Sequence, residues 1–226
     1  MKTFFTADLH LGHEGVLAMS ARPFASIEEH DDHLIENINA VVCERDRLFI
    51  LGDFCWHGAE SYAKRINCKN LHLIWGNHDR PNYGKWFKTA EDVAEIKLPQ
   101  SSFGQEAAEI KVFLSHYPHA YWPASHYGSL HLYGHLHGEQ EETLAALFPG
   151  RRAMDVGVDQ AAKLYSGVYR PFMDDEILDL LLRLPGHDPV EWYKGRQEAR
   201  NKGKAQEVAK NLARQFYDNR QYEAQR

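Results

Sequence analysis

The sequence predicts an α/β domain, and three features of its pattern carry that expectation. Apolar runs of strand length recur along the chain, the first ones are separated by amphipathic helical stretches, and several of them empty into glycine or a polar, titratable side chain. Ligands of α/β proteins sit outside the carboxyl ends of their strands, so residues at those ends are where chemistry is expected. With 226 residues, the chain has the length of one full-sized domain able to bury a substantial core.

Taken in order, a β-rich run over residues 2–7 ends in Asp8-Leu9-His10-Leu11-Gly12-His13. In an extended segment residues two apart share a face, so Asp8 and His10 are expected to aim at one point. Ser26-Ile27-Glu28-Glu29 is a capping-box pattern. Leu34, Ile35, Ile38, Val41 and Val42 then repeat at helical spacing, which predicts a helix over 26–43. A strand over 47–51 leads into Gly52-Asp53-Phe54, a helix over 59–66 follows, and Leu71–Trp75 forms a strand that ends in Gly76-Asn77-His78-Asp79. These are two βαβ units, for which a parallel sheet with right-handed crossovers is the rule.

Beyond residue 90, runs over 93–98 and 109–114 flank a glycine-containing turn and predict a hairpin, whose second strand ends in Ser115-His116-Tyr117-Pro118. Leu130–Tyr133 ends in Gly134-His135-Leu136-His137-Gly138, and a strand over 152–156 ends in Gly157-Val158-Asp159. Ile177, Leu178, Leu181 and Leu182 form a helical stripe that Pro185-Gly186 terminates. Residues 190–226 differ in composition, with nine Lys and Arg against five Asp and Glu. Ala205, Val208, Ala209, Leu212 and Phe216 form one narrow helical stripe there. The division expected is a catalytic domain over 1–187 and a C-terminal helical extension over 188–226, packed on the domain or projecting from it.

Composition narrows the function. A net charge of −6 argues against a protein that wraps nucleic acid, because phosphate neutralisation dominates such affinity. No apolar run approaches the roughly 18 residues of a membrane span, and the opening Met-Lys-Thr-Phe-Phe-Thr-Ala-Asp breaks too soon for a signal peptide. Three cysteines with no CxxC spacing are not a disulfide framework, which makes a reducing cytoplasm the expectation. Cys55 is expected to pack rather than attack. The outlier is histidine, at 14 residues; any bound metal would be held by imidazole and carboxylate rather than thiolate.

Asp8, His10, Asp53, Asn77, His78, His116, His135 and His137 all fall at strand ends. Each type binds divalent metals or moves protons, and five separate ends deliver them. A single such histidine is ordinarily a hydrogen-bonded loop residue; a set of eight is not.

In this order, Asp-x-His, Gly-Asp, Gly-Asn-His-Asp, a lone His and Gly-His-x-His resemble the calcineurin-like metallophosphoesterases, with the spacing of their small bacterial and phage members. The resemblance runs from Asp8 to His137. It implies a two-sheet β-sandwich flanked by helices, an αββα architecture. It also implies two divalent transition-metal ions: Asp8, His10 and His137 on one, Asn77, His116 and His135 on the other, and Asp53 bridging them. Mn is the expected metal, with Fe, Zn or Ni suited to the same N/O donors. The reaction implied is hydrolysis of a phosphomonoester or phosphodiester of a small molecule such as a nucleotide, by a metal-bridging hydroxide. By the same analogy His78 is the general acid, to be oriented by Asp79 or a backbone carbonyl. Asn77, His13 and Arg80 are the candidates for substrate contact, with His57 beside them. Asp155 and Asp159 are candidates to hold imidazole N–H groups, and Tyr117 and Pro118 to shape the loop of His116.

The chain departs from phosphoprotein phosphatases, whose Gly-Asp-x-x-Asp-Arg-Gly is here Gly52-Asp53-Phe54-Cys55-Trp56-His57-Gly58. Loss of the Asp-Arg pair argues against protein-phosphatase activity. Two alternatives stand beside the small-molecule hydrolase. A nuclease is disfavoured by the acidic charge and by the short chain, which has no room for the capping regions of exonuclease relatives. A non-catalytic binding module on the same fold is disfavoured because all eight positions are kept.

Overall fold

The computed structural model describes residues 1–99, 109–184 and 186. Met1–Gly186 form one compact unit. The expected helical extension over 188–226 and the turn between the hairpin strands lie outside the described residues.

The elements in chain order are β1 (Thr3–Thr6), α1 (Gly15–Met19), α2 (Ile27–Val41), β2 (Arg47–Leu51), α3 (Ala59–Arg65), β3 (Asn70–Ile74), β4 (Thr89–Glu91), β5 (Val93–Pro99), β6 (Glu109–Ser115), β7 (Leu130–Tyr133), α4 (Glu141–Leu147), β8 (Ala153–Asp155), α5 (Val158–Leu164), β9 (Phe172–Met173) and α6 (Asp174–Leu182). Two sheets result, one ordered β4-β3-β2-β1-β9 and the other β5-β6-β7-β8. In the first, β1 to β4 pair in parallel and β9 adds antiparallel to β1, which makes the sheet mixed. In the second, β5 and β6 are antiparallel as the hairpin pattern predicts, and β6, β7 and β8 are parallel.

Side-chain alternation on the first sheet sorts its residues into two cores. Phe4, Leu48, Ile50, Leu71 and Leu73 face a helix layer that includes Leu34, Ile35 and Ile38 of α2 and Ala59 of α3. Phe5, Phe49, Leu51 and Ile74 point the other way, against Leu98, Val112, Leu114, Leu130 and Leu132 of the second sheet. Both faces of β1 and β2 are therefore buried, which is why these strands read as unbroken apolar runs. Leu48, Ile50, Leu51 and Leu73 are fully buried, each worth roughly 1.5–3 kcal/mol over an exposed position. A third cluster, of Phe113, Trp122, Tyr133 and Ala153 with Leu144 of α4 against it, covers the outer face of the second sheet. The architecture is the α/β sandwich expected.

Ser26 caps α2 by accepting from the N–H of Glu29 at 3.2 Å, while Glu29 Oε2 accepts from the N–H of Ala25 at 2.7 Å. The carboxyl ends of β1, β2 and β3 in one sheet and of β6 and β7 in the other deliver all eight singled-out residues to one rim of the sandwich.

Candidate metal centre

Asp8 and His10 do not reach the rim by extended alternation. Strand β1 stops at Thr6, and the two residues adopt left-handed backbone, with φ of 55° and 51°. Asp53, His135 and His137 do the same at 54°, 71° and 51°. Left-handed backbone costs an L-residue roughly 1–2 kcal/mol, so five strained residues at one rim need compensation. Hydrogen bonds between the loops supply it. The N–H of Asp8 donates to Gly52 O at 3.0 Å and that of His10 to Asp53 O at 2.9 Å. Across the sheets, the N–H of His135 donates to Asp8 Oδ2 at 2.9 Å.

Close approach of the loops demands glycine at two places. A Cβ on Gly52, whose φ is 93°, would fall 2.2 Å from His116 Nδ1, and one on Gly76 would fall 2.3 Å from Asp53 Oδ1.

Two donor groups form. Asp8, His10 and His137 offer one ligand atom each within 4.8 Å of one another, and so do Asp53, His116 and His135. Asp53 Oδ2 lies between the groups, 3.5 Å from His10 Nε2 and 3.5 Å from His116 Nε2. Asn77 joins the second group, with its Oδ1 at 3.0 Å from His116 Nε2 and at 3.4 Å from the Tyr117 hydroxyl that donates to it. All seven residues expected as ligands are thus together.

The donor set fits cations. His116 donates its Nδ1–H to Leu51 O at 2.8 Å, since a carbonyl can only accept. Its Nε2 then faces two acceptors, Asn77 Oδ1 and Asp53 Oδ2. A cation among them would satisfy all three, and burial pushes the His116 pKa down, which disfavours a second ring proton. Burial, helped by Arg22 and neighbouring imidazoles, holds His10 down at about 2. Burial lowers His135 likewise. Burial, and then the carboxylates of Asp155 and Asp53, raise Asp8 well above its ordinary value. Unprotonated imidazoles around crowded carboxylates are the condition a divalent ion satisfies.

The supporting residues divide. Asp159 accepts from His137 Nδ1–H at 2.6 Å, as expected for a carboxylate that turns a ligand imidazole outward. Burial alone would raise its pKa, but the bonds from His137 and Arg22 hold it at about 2. Asp155 hydrogen-bonds no imidazole among the described residues; it accepts from the N–H groups of Gly138 at 2.8 Å and Gly157 at 2.6 Å. Asp79 does not orient His78. Its carboxylate accepts from the N–H groups of Gly76, Asp53 and Phe54, each at 2.9 Å, and so clips the β2 and β3 loops together.

The His78 ring makes no hydrogen bond among the described residues. It lies edge-on to His10 with centroids 5.4 Å apart and 5.4 Å from the Trp56 ring, while its backbone N–H donates to Asp53 Oδ1 at 2.9 Å. His13 stacks on Trp56 at 4.3 Å and 9°, with a buried Nδ1 that has no hydrogen-bond partner among the described residues. His57 lines the same cavity as His13. Arg80 is exposed and makes no side-chain hydrogen bond or ion pair among the described residues. Cys55 is buried, and burial pushes its thiol up to about 12, which removes it as a nucleophile. Trp56, Arg22, His30 and Asp31 were not marked by any sequence signal; only their neighbours in space reveal them.

Known proteins share this plan. A family model for calcineurin-like phosphoesterases matches residues 1–212. The gene 66 protein of Mycobacterium phage L5 is 28% identical over 207 residues, covering 79% of this chain and 93% of the relative. An uncharacterized protein of Methanocaldococcus jannaschii is 24% identical over 184 residues, covering 80% and 91%. Among solved structures, a protein of unknown function from Aquifex aeolicus superposes with a TM-score of 0.60 at 21% identity, over 79% of this chain and 98% of that one, a likeness of fold.

Proposed function

This chain belongs to the calcineurin-like phosphoesterase family, and on that premise we propose that it hydrolyses a phosphomonoester or phosphodiester of a small molecule such as a nucleotide, with two divalent transition-metal ions. The observation that carries the two-ion reading is the single oxygen, Asp53 Oδ2, at 3.5 Å from a ring nitrogen of each donor group. An anionic oxygen shared between two cations offsets their repulsion. Asp8, His10 and His137 would hold one ion, and His116, His135 and Asn77 the other, with Mn as the expected metal and Fe, Zn or Ni compatible with the same donors. Bound there, the pair would supply Lewis acidity toward the phosphoryl oxygens and a nucleophile at neutral pH.

The chain's own residues supply the rest. Asp159 and the Leu51 carbonyl take the Nδ1–H groups of His137 and His116, which leaves each Nε2 lone pair aimed at the centre. The His78 imidazole, exposed beside both groups and free of hydrogen bonds among the described residues, is the group able to give a proton to a leaving oxygen. His13 stacked on Trp56 walls that side and borders a cavity of about 430 Å³ that also takes in Gly12, His57 and Tyr62.

Elemental analysis of metal-reconstituted protein should give close to two ions per chain, and the loaded protein should turn over nitrophenyl mono- or diesters. Asp53→Asn should lower both occupancies together. One ion or none in the parent protein would overturn the two-ion reading, and full occupancy without turnover of any ester would overturn the hydrolase.

A further inference from the structure

Arg22 carries a charge into the interior without leaving a donor idle. Its side chain is 0% exposed, and all five of its N–H positions have acceptors. Nε and NH2 form a fork on Asp159, at 2.9 Å to Oδ1 and 2.8 Å to Oδ2. NH2 also donates to Asp8 O at 2.7 Å, and NH1 to Leu9 O at 3.0 Å and His30 Nε2 at 2.8 Å.

These acceptors have something in common. The carbonyls of Asp8 and Leu9 belong to the strained segment that presents Asp8 and His10. Asp159 is the carboxylate that turns His137. Arg22 therefore holds the backbone that presents Asp8 and His10 and the carboxylate behind His137, and is not bonded to Asp53, His116, His135 or Asn77; the two groups meet through the His10 N–H on Asp53 O and the His135 N–H on Asp8 Oδ2. Behind Arg22 the network continues. A guanidinium cannot accept, so His30 Nε2 accepts and its Nδ1–H donates to Asp31 Oδ1 at 2.8 Å. Asp31 Oδ2 in turn takes the N–H of Gly12 at 2.9 Å and the hydroxyl of Tyr62 at 2.6 Å. Gly12 lies two residues beyond His10, so the segment is held on both sides.

We propose that Arg22 is the positioning residue of the Asp8–His10–His137 subsite, setting that subsite's metal affinity far more than its neighbour's. The proposal rests on the two-ion reading above. Lysine could not replace it, because three donors on a point charge cannot make a planar fork on Asp159 and also reach two carbonyls.

The test is calorimetric titration of metal-free protein with Mn²⁺, for the parent chain, Arg22→Lys and Asp159→Asn, with Co²⁺ absorption as a count of filled sites. Each variant should lose about 10–100-fold in affinity for one ion, the usual worth of a partner behind a ligand, and hold the other within about threefold. Asp159→Asn keeps the Arg22 contacts to the backbone, so it reports even if Arg22→Lys fails to fold. Equal weakening of both ions, or parent affinity for both, would overturn the proposal. Fewer than two ions in the parent chain would instead overturn the two-ion reading and this inference with it.

Discussion

His131 should make the second sheet acid-sensitive by a calculable amount. It is fully buried on β7, the strand that runs on into His135 and His137. Its Nδ1–H donates to Phe113 O at 3.1 Å and its Nε2 accepts from the N–H of His119 at 3.1 Å. A second ring proton would point at that N–H, and burial drives the pKa from 6.5 to about 3. The unfolded chain binds the proton near 6.5, so the unfolded state holds more protons across the window from about 6.5 down to 3. Stability is fully present above that window and is lost as the pH falls through it. From the two pKa values, moving from pH 8 to pH 5 costs about 2 kcal/mol from this residue alone. Urea unfolding of metal-free protein should show that loss, and His131→Asn should be less pH-dependent than the parent by the same amount. The comparison cancels the other buried histidines, which both chains share. Parallel pH dependences in parent and variant would refute the reasoning.

Two further outcomes follow from the site. Asp79→Ala strips the acceptor from three backbone N–H groups and should lower stability by about 2–4 kcal/mol in urea titration; a loss below about 1 kcal/mol would mean that water replaces the carboxylate. His78→Ala should keep both metals by elemental analysis yet lose roughly 10²–10⁴-fold in turnover of alkyl esters and proportionately less on nitrophenyl esters, which depart without a proton. Equal losses on both ester types would assign His78 to holding phosphate.

The strands were legible where burial is two-sided. Arg47–Leu51 and Leu130–Tyr133 are observed with the bounds their apolar runs predict. Elements that tertiary pairing creates were not. Strand β9 is two residues long and exists through its pairing with Phe4 and Phe5, and α5 begins directly after Gly157 with too few turns to show a period. The donor residues were legible because Asp, Asn and His beside glycine at strand ends have few bland explanations. The way they converge was not legible, since Asp8 and His10 read as extended and adopt φ near 50°. Asp79 sat beside His78 in sequence but spends its oxygens on backbone, and Arg22 became meaningful only once Asp159, Asp8 and His30 surrounded it.

Because the donor groups draw on both sheets, their completion follows the order of synthesis. A growing chain has made β1 to β4, with Asp8, His10, Asp53 and Asn77 in place, well before His116, His135 and His137 emerge. The free edge of β1 waits longer still, for Phe172 and Met173. Domains generally fold as units, and Met1–Gly186 is one such unit, so while the chain is being made Asp8, His10 and Asp53 wait for the three imidazoles that complete both groups. Completion of both donor groups is on this account a late step, and a chain released before His116 would hold neither group whole.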